Sequence, residues 1–263
     1  GAFLAGGHVT DTVRKGMLDM NLLEGRPELL LYGMLAALAS AGTLLLVATR
    51  YGLPVSTTHS IVGAMIGFGI MAGGFSVIQW GKLGAVVLSW VISPVFSLGI
   101  GFTTFKVIVN LILSKKDPFQ QALRLSPWFI GLAVFVVVLS FLFKTPLGSS
   151  LTIGAPSALL IALVSSGLLG YAGKRLLIHF LGGLGQNGGE EEVFRRIQIG
   201  TSCYVALAQG ANDVANAIGP LAVIYFLVKT GGVGAKVPVP TFLLLFGGVG
   251  IACGIGMAGH RVM

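Results

Sequence analysis

One acidic side chain stands apart from the rest. The nine acidic residues are Asp11, Asp19, Glu24, Glu28, Asp117, Glu190, Glu191, Glu192 and Asp213. Eight lie in loops or near segment ends, whereas Asp213 sits deep in the apolar stretch 197–228, IQIGTSCYVALAQGANDVANAIGPLAVIYFLV. A carboxylate inside a bilayer costs about 2.5–3.5 kcal/mol on insertion scales, which marks it as functional by default. Within GANDVANAIGP at 210–220, Asn212 and Asn216 are four apart and Asp213 and Asn216 three apart, so on a helix they share a face. One carboxylate and two amide oxygens are hard ligands for a small cation, and the amide NH₂ groups can donate to an anion. Gly210, Gly219 and Pro220 are expected to loosen the helix and free backbone carbonyls as further ligands. The bland alternative is a polar knot that ties two helices together.

A second constellation, Ser56-Thr57-Thr58-His59, follows Pro54 in PVSTTHSIVGAMIGFGIMAGG at 54–74. Proline near a helix start leaves the first N–H groups free. The hydroxyls of Ser56, Thr57 and Thr58 then join those N–H groups at the positive end of the helix dipole. Such a site binds an anion without a metal or a lysine. The alternative is ordinary N-capping by Ser56.

Other side chains carry less. His59 could tune or shuttle a proton beside the hydroxyls, but a hydrogen-bonded core histidine is the reading adopted. His8 and His260 fall near membrane ends and His179 in a loop. Cys203 and Cys253 read as small core residues, with no disulfide or metal framework. No HExxH, CxxC or GxxxxGK[ST] pattern occurs, so neither a resident metal nor ATP-driven transport is indicated, and no catalytic residue is assigned.

The elements that must position these residues are membrane helices. The chain has 263 residues, 54% hydrophobic and 10% charged, with a mean hydropathy of +0.90. Soluble domains carry about 25% charged residues, and disorder needs more charge still, so both classes are excluded. Forty glycines suit close helix packing in lipid. The net charge of +8 is spread over loops and helix ends, as headgroup anchoring requires, and forms no nucleic-acid patch. Spans of about 20 apolar residues fit Leu29–Thr49, Leu83–Phe105 with a kink at Pro94, Trp128–Phe143, Ser149–Tyr171 and Phe242–Ala258. The polar-interrupted segments 54–74 and 197–228 read as broken or re-entrant helices. Segments 114–126 and 172–196 read as loops, on the cytoplasmic side by their Lys/Arg content.

LAGGHVT at 4–10 aligns with MAGHRVM at 257–263, matching Ala5/Ala258, Gly6/Gly259 and Val9/Val262. Both ends look cut from a longer protein. With 172–196 as a cytoplasmic linker, the chain divides into the later part of a first repeat with its following spans (1–171) and the start of a second (197–263). The fold class is therefore all-α, a polytopic membrane helical bundle of two repeats, taken as inverted, with substrate at their interface.

GANDVANAIGP at 210–220 and GLPVSTTHSIVGA at 52–64 resemble the two signature stretches of the inorganic phosphate transporter (PiT) family of sodium- or proton-coupled permeases. GHVTDTVRKGM at 7–17 and WVISPV at 90–95 are similar to further family stretches, and the likeness runs over essentially the whole chain. The family carries both signatures in each half, and this chain has one copy of each. The resemblance implies an integral protein of the plasma (inner) membrane that symports inorganic phosphate with sodium or a proton by alternating access. Phosphate is expected among Ser56, Thr57, Thr58, Asn212 and Asn216. The coupling cation is expected at Asp213 with Asn212 and Asn216, sodium there being the sole metal considered. No cofactor is expected. Membrane lipid is a partner, and a homo-oligomer is left open. A sulfate permease of the same architecture is the first rival. An ion channel is the second, though a lone acid in an interrupted helix fits an occluded site better than a pore.

Overall fold

In lipid, unpaired backbone groups are costly, so an apolar chain closes its hydrogen bonds within helices. The computed structural model, which describes residues 25–144, 148, 151, 153–181, 189–232 and 239–261, is built that way. Its helices are α1 (Pro27–Arg50), α2 (Thr57–Gly73), α3 (Trp80–Ile108), α4 (Pro118–Lys144), α5 (Ala155–Leu181), α6 (Gly189–Thr230) and α7 (Thr241–Ala258). A short 3₁₀ turn at Phe75–Val77 precedes α3, and a π-helical turn at Val109–Leu113 follows it. Among the described residues, six helices are long and apolar enough to cross a membrane; α2, with 17 residues, is shorter. The protein is an integral membrane protein of all-α class.

The described chain packs as two units. The first holds residues 25–89 and 207–261, the second residues 90–206. The units do not follow chain order, since the first unites both ends of the described chain. In the first unit, Leu30, Met34, Ala37 and Ala41 of α1 meet Ile61 and Met65 of α2 and Val223 and Leu227 of α6. Val214, Ile218 and Ala222 of α6 pack on Leu243 and Leu244 of α7. Gly52 adopts φ +67°, a left-handed conformation that reverses the chain between α1 and α2. That reversal sets the start of α2 where its hydroxyls are needed. In the second unit, Phe119, Ala122 and Leu123 of α4 pack with Leu177 and Leu181 of α5 and Val193 of α6.

Several expectations are corrected. Segment 114–126 is helical from Pro118 on, because Asp117 caps α4, its Oδ1 accepting from Gln120 N at 3.1 Å. Phe119, Ala122, Leu123 and Ser126 are buried at helical spacing while Gln120 and Arg124 face outward. Segment 172–196 is helical at both described ends, 172–181 and 189–196; residues 182–188 lie outside the described residues. His179 accordingly sits in the last turn of α5. Segment 197–228 is not unwound: α6 runs unbroken through Gly210, Gly219 and Pro220. Proline deletes one N–H, and breaking the helix would orphan more groups in an apolar setting. The helix α3 holds Pro94 in its interior, where a kink was expected, and continues past it. Cys203 and Cys253 are exposed, as is His59. Hydropathy marks a residue as apolar-compatible without separating protein interior from lipid-facing surface. The stretches 4–10 and 7–17 lie outside the described residues.

Candidate functional site

Four of the singled-out side chains meet in the first unit, at the start of α2 against the middle of α6. The Thr57 hydroxyl donates to Asp213 Oδ1 at 2.9 Å. Asn216 Nδ2 donates to Thr57 Oγ1 at 3.2 Å and to Thr58 Oγ1 at 3.0 Å. These contacts join residues 156 to 159 positions apart in the chain. Asp213 and Asn216 come from one helix at i, i+3, as their spacing requires.

Burial grades across the cluster. Asn216 is 5% exposed, and Thr57, Thr58 and Asp213 are half-buried. Buried Val214, Ala215 and Ile218 line the surrounding face of α6. Polar atoms in such surroundings are costly unless paired. Asn216 Oδ1 is buried and accepts no hydrogen bond among the described residues. A buried carbonyl oxygen of this kind is an acceptor suited to a cation.

Ser56 takes the capping role. Its Oγ accepts from His59 N at 3.3 Å while its own backbone is extended. Ser60 Oγ donates back to Ser56 O at 2.9 Å. Ser56 is exposed at the positive end of the α2 dipole, where a negative group is favoured. Asn212 is exposed one turn before Asn216 and makes no side-chain hydrogen bond among the described residues. The structure thus brings Thr57, Thr58, Asp213 and Asn216 into one network and leaves Ser56 and Asn212 at its exposed edge. The spacing gave the faces of each helix; the pairing of Thr57 with Asp213 carries no sequence signal, because it is a contact between distant segments.

Among the described residues, no group of three or more His, Cys, Asp or Glu side chains is placed to hold a metal. The second unit has a cavity of about 860 Å³ lined by Phe129, Ala133, Leu177, Phe194, Thr201 and Tyr204, among others. Among the described residues its one charged lining residue, Arg196, is paired with Glu192 at 2.7 Å, and none of the candidate site residues reaches it. The cavity is mainly apolar, a poor match for a small oxyanion.

Comparison with known proteins points the same way. A family model described as "Phosphate transporter family" matches residues 1–263. A Pyrococcus abyssi protein named "Putative phosphate permease" is 44% identical over 268 residues, covering 100% of this chain and 64% of its own length. "Inorganic phosphate transporter 2-1, chloroplastic" of Arabidopsis thaliana is 37% identical over 286 residues, covering 100% of this chain and 49% of its own length. A solved structure titled "The sodium-dependent phosphate transporter" superposes with a TM-score of 0.89 at 38% identity, covering 100% of this chain and 65% of that one. These proteins are named for transport, not for catalysis.

Proposed function

The chain belongs to the phosphate transporter family, and from that premise we propose that the whole protein is a secondary transporter of the plasma membrane, symporting inorganic phosphate with sodium by alternating access. The observation that carries this reading is the network of Thr57, Thr58, Asp213 and Asn216, a set of donors and acceptors held in an apolar surround. The name of the superposed structure supports sodium over a proton as coupling ion.

The roles follow from charge. Phosphate binds at the start of α2, taking donors from Thr57, Thr58 and the first N–H groups of the helix. Asn212 adds an amide donor from the exposed edge, and Ser56 holds the helix end in place. Sodium binds at Asp213, with Asn216 Oδ1 as a neutral oxygen ligand. Phosphate alone would add negative charge beside the Asp213 carboxylate at membrane depth, and sodium there offsets it. Together they partly neutralise each other where the dielectric is low, and that makes their binding interdependent.

The test is phosphate uptake by the whole protein in proteoliposomes, with sodium and proton gradients imposed separately. Saturable uptake driven by an inward sodium gradient, and resistant to excess sulfate, is the expected result. Uptake driven only by protons, or equal competition by sulfate, would contradict the reading.

A further inference from the structure

The hydrogen-bond network has a polarity that chemistry fixes. An ionised carboxylate accepts only, so the contact between Thr57 Oγ1 and Asp213 Oδ1 uses the single hydroxyl proton of Thr57. The group facing the other side of Thr57 Oγ1 must therefore donate. That determines the amide orientation of Asn216, with Nδ2 toward the threonines and Oδ1 away from them. The amide has two protons, and Thr57 and Thr58 take one each. Thr58 then accepts from Asn216, and no described residue accepts its own hydroxyl proton. The two threonines, adjacent in sequence and alike in chemistry, are thus unlike as donors. Thr58 has a proton to offer an anion, and Thr57 has already given its proton to Asp213.

We propose that Thr58 is a standing donor to the transported anion and Thr57 a conditional one, released to the anion only when a cation occupies Asp213. The inference rests on the phosphate and sodium reading above. A cation bound to Asp213 Oδ1 on the side facing Thr57 repels the hydroxyl proton and takes its place on that oxygen. The hydroxyl oxygen can turn a lone pair toward the same cation, and its proton then points to phosphate. No covalent bond breaks and no proton leaves Thr57; one hydrogen bond changes acceptor. Phosphate gains a donor only in the sodium-bound state, so sodium tightens phosphate and phosphate tightens sodium by the same factor.

The experiment measures the phosphate KM of the whole protein in proteoliposomes across a range of sodium concentrations. The variants are Thr57→Val, Thr58→Val and Thr57→Ser. Loss of one hydrogen bond to a charged acceptor raises KM about tenfold. Thr58→Val should show that rise at every sodium concentration, a parallel shift. Thr57→Val should leave KM near the wild-type value at low sodium and raise it about tenfold at saturating sodium, flattening the sodium dependence. Thr57→Ser, which keeps the hydroxyl, should restore it. Thr57→Ala gives the same reading with a smaller side chain should the valine variant fail to fold. Equal KM shifts at all sodium concentrations in Thr57→Val would overturn the inference and leave sodium-phosphate symport standing. A wild type that takes up no phosphate would overturn the reading beneath it.

Discussion

At the scale of single residues, type and spacing singled out a few side chains, and the structure shows which of them meet. The Ser56 hydroxyl was equally compatible with anion binding and with capping, and it caps α2 through His59 N. Two substitutions separate the roles. Ser56→Ala should destabilise the protein by about 0.5–2 kcal/mol, read as a fall in thermal midpoint. Ser56→Asp should keep the cap and the midpoint, but its charge beside the anion should raise the phosphate KM. A KM unchanged in Ser56→Asp would place the anion away from the α2 start. Asp213 was legible as a candidate because a lone carboxylate in an apolar run is costly, and the structure places it in the network. Its pairing with Thr57 was not, because the two are 156 positions apart and no periodicity reports a contact of that range.

Among the elements, long apolar runs were read well and polar stretches poorly. The polarity of SKKDPFQQALRLS suggested a loop, yet Asp117 and Pro118 form a helix start and the buried Phe119, Ala122, Leu123 and Ser126 repeat at helical spacing. The signal was present, but at a membrane surface an amphipathic helix and a basic loop share a composition. Pro220 misled in the other direction, since one missing N–H is a smaller loss than an unwound turn in an apolar surround. Close packing of α4 on α5 depends on small residues. A Cβ at Gly170 would lie 2.6 Å from the Pro127 carbonyl oxygen, a backbone atom with little room to move. Gly170→Ala should therefore cost about 1–3 kcal/mol, visible as a lower thermal midpoint of the detergent-solubilised protein. Gly167→Ala, one turn away where a Cβ meets nothing within 4 Å, should leave the midpoint unchanged or higher. Equal losses in both variants would contradict the packing account.

For the whole molecule, composition alone settled the class. Charged residues at 10% and a wide apolar surface leave the bilayer as the natural solvent. The surface of α3 bears this out: Phe96 is 70% and Leu98 73% exposed, and none of its residues is buried. What composition could not show is which distant helices meet, because that depends on packing between segments. Under the proposed symport, function at this scale is coupling, a property of two ions and one network. The most direct measurement is phosphate binding to the purified whole protein, with and without saturating sodium, in wild type and Asp213→Asn. Sodium should tighten phosphate binding in the wild type, and Asp213→Asn should bind phosphate with an affinity that sodium no longer changes. A variant in which sodium still tightens phosphate as much as in the wild type would contradict the assignment of the coupling ion to Asp213.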